Sequence, residues 1–434
     1  MMGWLKEDIA EKWRNEGKRY ARDVNAFVRK GMQGEQPDES ELEGDSRSGM
    51  SAEVFHMVRQ ANLHGDLEML RRELPAATWP LSEAFQASMQ AVNVVGYLNE
   101  ETCVCNTGIF TENGQIYTMD QHGGQLISPY TFAGCSADGL DYALAGPDGV
   151  RIIRQPDRRL EGQEIATYRW EDIQARIQSS LPRIESLADC EHPERTLEGL
   201  IPMDEGRALL IHSRYGIYLV TQAQVTLLHP DLAEIEEYEL EDTQLDMGHA
   251  AVSRDGRWLA YGSQGSNHMV MDRQLNKTYS LYPESSYPHY AAFTSDNQNV
   301  WFNACHFYNG VTIQVPLEDI QGNETKEDWP IMNENARVYA AVETEAGMVL
   351  GDAYGYLYCV NGEGKEVWRH FVGSTIYSLV VSPEQSKLAV GTYGGMLHVL
   401  DLHSKEMDEY GIGTGTLREL ERYVLWRGEE PLRW

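Results

Sequence analysis

From about residue 92 onward, apolar and polar positions alternate in short runs that Gly, Asp and Asn turns separate, which is the period of half-buried β-strands. One pattern recurs: a strand, a polar turn, a strand that ends in small residues, a Gly-bearing turn and a third strand. Six copies begin at Phe132, Leu200, Ala250, Ala291, Ala340 and Ser378. A seventh and more divergent copy begins at Asn93. The chain is therefore built from internal repeats.

An acidic residue marks the first turn of every copy and gives the repeat length. These residues are Glu100, Asp138, Glu205, Asp255, Asp296, Glu345 and Glu384. Their intervals are 38, 67, 50, 41, 49 and 39 residues, and the long one holds an inserted strand or helix near Tyr168 to Ile184. Repeats of about 40–50 residues that each form a small sheet are typical of a ring of sheets. The pattern predicts an all-β fold, a seven-bladed β-propeller over residues 92–434.

The final segment, from Glu421 to Trp434, is rich in apolar residues. We expect it to add strands to the last blade or to close the ring. The segment near Asn93 is the other candidate for closing the ring, and the sequence leaves both open.

The N-terminal 1–31 segment is predicted to be a basic amphipathic helix. Its apolar residues are spaced along one helical stripe: Trp4, Leu5, Ile9, Trp13, Tyr20, Val24, Phe27 and Val28. Eight basic and five acidic residues give this segment a charge of +3. Such a helix can lie on an anionic membrane or dock on the acidic body of its own chain or of a second copy. The five acidic residues favour docking.

Two further segments precede the repeats. Residues 32–50 are acidic, rich in Gly and almost free of apolar side chains, which predicts a linker. Residues 51–91 predict a helical segment in which 61–74 resembles one helix-turn-helix unit of an ankyrin repeat, with Gly65 and Asp66 at the turn. Because one such unit cannot bury its own apolar face, it must pack on another part of the protein.

Three copies resemble known propeller repeats. Those from Ala250 and Ser378 look like WD40-type repeats, and Gly248 and His249 match the Gly-His pair of that family. The copy at 351–368 looks like the repeat of pyrroloquinoline-quinone-type propellers, which it matches at Gly355, Leu357, Tyr358, Asn361, Gly364, Lys365 and Trp368. Quinone enzymes carry this motif in most blades, together with an adjacent Cys pair, and this chain has one copy and no such pair. The resemblance implies the fold and disfavours quinone chemistry.

Charge and composition narrow the class of partner. The formal net charge is −31, which repels nucleic acid and attracts a basic protein. No apolar run approaches the ~18 residues that span a bilayer. The N-terminus lacks the apolar core of a secretory signal, and six scattered Cys suit a reducing compartment, so we expect a cytoplasmic protein.

The sequence offers little catalytic chemistry. It contains no G-x-S-x-G, H-E-x-x-H or G-x-x-x-x-G-K-[ST] motif. The cysteines lack the spacing of a metal site and read as small buried residues or inert thiols. We therefore predict no catalytic residue, no metal ligand and no cofactor.

The turns between the second and third strands of successive blades lie on the same face of a propeller. They place one ring of side chains on that rim, which we predict to bind a partner: Tyr215, His268, Tyr308 (or its neighbour Phe307), Tyr354 and Tyr393. Tyr is enriched at protein interfaces. The alternative, equally open, is that these rings pack on adjacent blades.

The sequence thus predicts a non-catalytic propeller with a helical N-terminal extension, which binds another protein. The sharper hypothesis is an immunity protein that neutralises a basic toxin by covering it. The alternatives are an adaptor or assembly scaffold, and an enzyme or ligand-binding protein that uses the central channel. The channel alternative predicts carboxylates and histidines with perturbed pKa values at the inner strands.

Overall fold

The structure is a computed structural model. It describes residues 3–36, 38, 40, 42–76, 82–109, 111, 113–322, 326, 328–404, 406, 408–413 and 415–434. The predicted linker 32–50 and the predicted helical segment 51–91 therefore lie in part outside the described residues.

Within the described residues the chain forms seven antiparallel sheets, and each sheet takes its strands in chain order. The first sheet contains β1 (Val92–Asn99), β2 (Thr102–Thr107), β3 (Gln115–Asp120) and β4 (Gly123–Ile127). The second contains β5 (Phe132–Cys135), β6 (Asp141–Gly146), β7 (Gly149–Arg154) and β8 (Gln163–Arg169). The third contains β9 (Leu197–Met203), β10 (Ala208–Ser213), β11 (Gly216–Thr221) and β12 (Val225–His229). The fourth and fifth contain β13 (His249–Val252), β14 (Trp258–Gly262), β15 (His268–Asp272), β16 (Lys277–Leu281); and β17 (Tyr287–Phe293), β18 (Asn299–His306), β19 (Asn309–Pro316), β20 (Ile331–Asn333). The last two contain β21 (Val338–Thr344), β22 (Gly347–Asp352), β23 (Tyr356–Val360), β24 (Glu366–Phe371); and β25 (Ile376–Val381), β26 (Lys387–Thr392), β27 (Met396–Asp401), β28 (Arg418–Val424), β29 (Leu432–Arg433).

The α-helices of the described residues lie mostly ahead of the sheets. They are α1 (Glu7–Met32), α2 (Ser51–His64), α3 (Leu67–Glu73), α4 (Ser82–Phe85), α5 (Trp170–Ser180) and α6 (Leu232–Glu237). No helix of the described residues is long and apolar enough to cross a membrane.

The sheets form a closed ring around a central channel. The first strands of neighbouring sheets contact each other in the pairs β1–β5, β5–β9, β13–β17, β17–β21 and β21–β25, and β25 of the last sheet contacts β1 of the first. The third and fourth sheets share a buried cluster that contains Leu210 and Leu259. The predicted seven-bladed β-propeller with an N-terminal helix is therefore confirmed, as is the resemblance to propeller repeats at the level of the fold. The seven acidic residues that marked the repeats all lie in the turn between the first and second strands.

Strand direction divides the ring into two faces. In every sheet the first strand starts at the connection from the preceding sheet, and the following strands alternate in direction. The connections between sheets and the turns between second and third strands therefore lie on the same face. We call this the upper face. The turns between first and second strands lie on the opposite, lower face.

The hydrophobic core lies between adjacent sheets. Val150 and Ile152 of the second sheet share one buried cluster with Leu209 and Ile211 of the third. Because each sheet buries one face on each neighbour, no sheet completes its core alone.

The long interval between repeats contains strand β8 and helix α5. The helix covers the edge of the second sheet with buried Ile173 and Ile177, and the indole Nε1 of Trp170 donates a hydrogen bond to the Gly146 carbonyl at 2.8 Å. The predicted insertion is thus the outer strand of one blade followed by a helix.

Helix α1 docks on the protein's own body. The first half of the predicted stripe takes part, since Trp4 and Trp13 are buried in one cluster and Leu5 and Ile9 pack against it, whereas the second half of the helix uses other residues. Its buried line is Ala10, Trp13, Gly17, Ala21 and Asn25, whereas Tyr20, Val24, Phe27 and Val28 are half-buried. Small residues are needed there because the helix lies close to its neighbours. A Cβ at Gly17 would lie 2.8 Å from Arg47 and 3.1 Å from the Tyr410 ring.

Helices α2 and α3 form the predicted helix-turn-helix. Helix α2 ends at Gly65, whose φ of 73° is the left-handed conformation that glycine favours. The pair packs on the C-terminal segment of the chain. Asn62 exchanges two hydrogen bonds with the backbone of Arg433, each 2.8 Å long.

The contact between the two ends of the chain, which we call the terminal clasp, is built around tryptophan. Trp13 and Trp434 are fully buried and stack with ring centroids 6.2 Å apart. Their indole nitrogens donate to the carbonyls of Pro75 (2.8 Å) and Leu74 (2.7 Å). The clasp holds the C-terminal segment on the N-terminal helices, and β1 contacts β25 directly. The C-terminal segment and the segment near Asn93, the two candidates from the sequence, therefore both take part in closing the ring.

We expect the Trp434→Ala substitution to lower the free energy of unfolding by about 3–5 kcal/mol, because it removes a fully buried indole and leaves a cavity. Urea denaturation measures the change. The control is Leu63→Ala in α2, a 78% exposed position where the change should stay within about 0.5 kcal/mol. Equal effects of the two substitutions would show that the clasp does not stabilise the fold.

Candidate functional site on the upper face and in the channel mouth

The structure separates the five predicted rim residues into exposed and buried ones. All lie in, or directly after, a turn between second and third strands, and therefore on the upper face. Tyr308 and Tyr354 are 74% and 52% exposed. Tyr215 and Tyr393 are half-buried, and the His268 side chain has no exposed surface. Two of the five side chains are therefore exposed.

The buried members contact the propeller itself. The ring of His268 stacks on Phe302 at 4.3 Å between centroids. Tyr215 packs against the core cluster between the second and third sheets. Its carbonyl accepts hydrogen bonds from the hydroxyls of Tyr218 (2.5 Å) and Thr243 (2.7 Å). Tyr393 faces the channel.

The most exposed aromatic pair lies at the tip of a two-residue hairpin in the fifth sheet. His306 pairs with Asn309, which leaves Phe307 and Tyr308 as the turn. Phe307 is 64% exposed and has a φ of 47°, which a bulky residue rarely adopts. Arg337 Nη1 donates to the Phe307 carbonyl at 3.1 Å and holds the turn. A strained tip that keeps two aromatic rings in water points to a function.

Other large apolar side chains are exposed on the same face. Together with the hairpin tip they form what we call the upper-face patch, spread over the third to sixth sheets: Leu232, Tyr238, Tyr282, Phe307, Tyr308 and Tyr354. Leu232, Tyr238 and Tyr282 are not among the residues predicted from the sequence, because they lie in connections between repeats rather than in the repeated turns. Their signal was an apolar residue within an otherwise polar connection.

A cavity of about 490 Å³ occupies the upper half of the channel. The residues that line it include these from the third to seventh sheets: Glu198, His212, His249, His289, Tyr339, Tyr377 and Tyr393. The channel alternative predicted such a set of carboxylate and histidine side chains at the inner strands.

The three histidines of the cavity are buried and neutral at pH 7. Burial lowers the pKa of His212 and of His289 to about 4, and that of His249 well below its usual range. His289 Nδ1 lies 2.6 Å from the Val338 carbonyl, which can only accept, so Nδ1 carries the proton. Its Nε2 is then an acceptor, and no described side chain or backbone group bonds to it.

Glu198 is the carboxylate of the cavity. Its oxygens lie 3.4 Å from His212 Nε2 and 4.0 Å from Arg214 Nε, both longer than a good hydrogen bond. Burial raises the pKa of Glu198, and the Arg214 charge opposes the shift. Burial, the Tyr393 hydroxyl and the Glu198 charge raise the pKa of the Tyr377 hydroxyl.

Three tyrosine rings form one wall of the cavity. Tyr393 makes edge contacts with Tyr339 and Tyr377, at centroid distances of 5.9 and 4.9 Å. Arg337 lies over the Tyr339 ring, 5.4 Å from its centre. The cavity therefore combines one carboxylate, neutral imidazoles and aromatic surface.

The Ser378 hydroxyl of the cavity is engaged in the structure of the ring. Ser378 also lines the cavity, but its hydroxyl accepts from the Val94 N–H at 2.6 Å and bonds to the Val92 carbonyl, so it joins the last sheet to the first. Within the ranges the structure describes, no group of three or more His, Cys, Asp or Glu side chains could hold a metal ion.

The six cysteines are all described, and none forms a disulfide. Burial raises the pKa of Cys103 and of Cys135 to about 12, and that of Cys190 to about 11. Thiols with raised pKa values are poor nucleophiles.

Comparison with known proteins places this chain by fold alone. No protein-family model and no curated protein matches the sequence. Among solved structures, it is similar to the Cps50 (Swd1) β-propeller domain of Myceliophteria thermophila, with 12% identity, a TM-score of 0.48, and coverage of 70% of this chain and 92% of that one. It is also similar to Saccharomyces cerevisiae Sqt1, with 10% identity, a TM-score of 0.47, and coverage of 80% of this chain and 96% of that one. For Moraxella catarrhalis BamB the identity is 14%, the TM-score 0.41, and the coverage 71% of this chain and 84% of that one. At such identities the similarity concerns the fold and does not assign a function.

The buried His268 predicts a loss of stability in acid. Burial lowers the pKa of His268 to about 3 from its usual 6.5, so between these values the unfolded chain takes up a proton that the folded chain excludes. The stability therefore falls as the pH falls through this window. We expect His268→Leu to remove about 2 kcal/mol of the stability loss between pH 7.5 and pH 5, measured by urea denaturation at both values.

The control for this prediction is Phe302→Leu. It alters the packing around His268 and leaves the imidazole in place, so the pH dependence should stay as in the unaltered protein. If His268→Leu and the unaltered protein lose equal stability in acid, His268 is not a source of the effect.

Proposed function

We propose that this protein acts without catalysis, in the cytoplasm, by binding a basic protein through its upper face. The observation that carries the proposal is the hairpin tip at Phe307 and Tyr308, which holds two aromatic rings in water on a strained turn. Loops on a rigid frame are where binding residues concentrate.

The energetics of the tip suit an interface. Burying an exposed aromatic side chain contributes about 1.5–3 kcal/mol, and aromatic residues dominate binding hot spots. The hairpin is already ordered by the pairing of β18 with β19 and by the Arg337 hydrogen bond. Binding would therefore cost little conformational entropy.

Charge on the same face favours a basic partner. The connection after the third sheet exposes four glutamates around Tyr238: Glu236, Glu237, Glu239 and Glu241. Two basic residues of α1 are paired within the protein, Lys18 with Glu409 and Arg14 with Glu73. Acidic surface of this kind accelerates the association of a basic protein and is screened by salt.

The sharper form of the proposal is an immunity protein that covers and neutralises a basic toxin. Its support is the acidic charge and the exposed patch on one face. An adaptor or assembly scaffold would use the same face. An immunity protein and an adaptor differ in the partner that they bind. A toxin is harmful when it is expressed alone and harmless when this protein is present.

A second candidate function is ligand binding in the channel. The observation that favours it is the cavity that Glu198, His289 and Tyr393 line together in the upper half of the channel.

We expect the double substitution Phe307→Ser, Tyr308→Ser to weaken partner binding at least tenfold, because it removes both rings of the tip. The experiment captures tagged protein from its native cytoplasm, identifies stoichiometric partners by mass spectrometry, and then measures the dissociation constant of each. Raised salt should weaken the complex. A partner that proves toxic alone would support the immunity form.

The matched control is Leu275→Ser, which removes a 59% exposed apolar side chain from the lower face and should leave the complex unchanged. Retention of the partner by the double variant would refute the upper-face proposal. So would the absence of any stoichiometric protein partner.

A further inference from the structure

Two histidines that line the channel cavity have ring nitrogens that the fold leaves without a hydrogen bond. His249 and His289 have relative exposures of only 5% and 6%. Both nitrogens of His249 and the Nε2 of His289 lack a hydrogen-bond partner among the described residues. A buried polar atom without a partner costs free energy, so these nitrogens indicate a ligand or ordered water in the cavity.

The hydrogen bonds within the protein decide what a ligand must offer to each imidazole. His289 Nδ1 lies 2.6 Å from the Val338 carbonyl and donates to it, so His289 Nε2 can only accept. The neutral imidazole of His249 has one donor and one acceptor. Because a hydroxyl group both donates and accepts, it can satisfy either histidine. A compound with several hydroxyl groups can satisfy both.

The charges around the cavity favour a neutral ligand. Glu198 brings a carboxylate to the cavity, and its nearest donor among the described residues, His212 Nε2, lies at 3.4 Å, so this carboxylate can accept a further hydrogen bond. Arg214 Nε lies 4.0 Å from Glu198, and the Arg337 guanidinium lies 5.4 Å from the centre of the Tyr339 ring, which also lines the cavity. Two cations therefore offset the Glu198 charge, and neither an added ammonium nor an added carboxylate has an unpaired counter-charge to bind.

We propose that the channel cavity binds a small neutral compound with several hydroxyl groups, such as a monosaccharide or a cyclic polyol, which donates to His289 Nε2 and to Glu198 and exchanges hydrogen bonds with His249. The cavity volume of about 490 Å³ is in the range of small-molecule sites. The inference rests on the second candidate function, ligand binding in the channel. It is independent of the upper-face patch, because neither Phe307 nor Tyr308 lines the cavity.

The test is a titration of the full chain with three neutral probes, D-glucose, D-ribose and myo-inositol, followed by saturation-transfer NMR. Cyclohexanol, which has the ring of myo-inositol and a single hydroxyl, is the reference. We expect saturable binding of at least one probe, with a dissociation constant on the order of a millimolar or tighter, and none of cyclohexanol. D-glucosamine and D-glucuronate, which add a positive or a negative charge to the glucose ring, should bind more weakly than the best neutral probe.

Substitutions locate the site. Asparagine can place an amide N–H near the position of Nδ1 and has no counterpart of Nε2, so His289→Asn should weaken binding at least about tenfold. The matched control is His268→Asn, at a fully buried histidine that does not line the cavity, and it should change the dissociation constant less than about twofold. Thermal unfolding of each variant shows whether it is folded. In the unaltered protein, the ¹⁵N shift of His289 Nε2 should move on binding, which tests the contact without a substitution.

Three results would overturn the proposal. They are the absence of saturable binding of all three neutral probes, binding that leaves the His289 Nε2 shift in place, and binding that a folded His289→Asn variant retains. Tighter binding of D-glucosamine or D-glucuronate would also overturn it, but would keep the channel as a ligand site and so leave the second candidate function standing. The hairpin variants test the upper-face proposal separately.

Discussion

A four-stranded sheet cannot bury both of its faces, and this constraint organises the whole molecule. Every sheet needs two neighbours, so the first and last sheets must meet although they lie at opposite ends of the repeats. The Ser378 hydroxyl bonds to the backbone at Val92 and Val94, and the Tyr423 hydroxyl donates to the Asp120 carbonyl at 2.9 Å. Ring closure thus rests on side-chain and core contacts between whole sheets, without an exchanged strand in the part of the chain described.

The closed ring also fixes the two candidate sites. The upper-face patch lies on turns that a rigid frame holds in place, and small residues near the channel let adjacent sheets approach each other closely. An added Cβ at Gly248 would lie 2.5 Å from His212 Nε2, and one at Gly134 would collide with the Leu200 backbone. The same geometry therefore presents aromatic rings outward and keeps an enclosed polar space at the axis.

The sequence was sufficient for the fold because turn chemistry repeats. The acidic turn residues and Gly65 marked their turns correctly, since these local conformations depend on neighbouring residues. The rim residues show the limit of this reasoning. Turn register places Tyr308, Tyr393 and His268 on one face, but whether a side chain faces water, the channel or the core depends on the neighbouring sheet, which local patterns do not encode. For the same reason the second half of α1 buries Gly17, Ala21 and Asn25 rather than its apolar stripe.

The terminal clasp has a consequence for how the protein is made. Leu74 and the tryptophan that donates to it, Trp434, are 360 residues apart in the chain. A ribosome adds about 5–20 residues per second. The C-terminal segment that packs on the N-terminal helices is therefore synthesised roughly 20–70 s after them. During that time Trp13 and Phe55 lack the indoles that later bury them. The N-terminal helices are therefore synthesised before the propeller but are among the last elements to be buried, and we expect molecular chaperones to protect them.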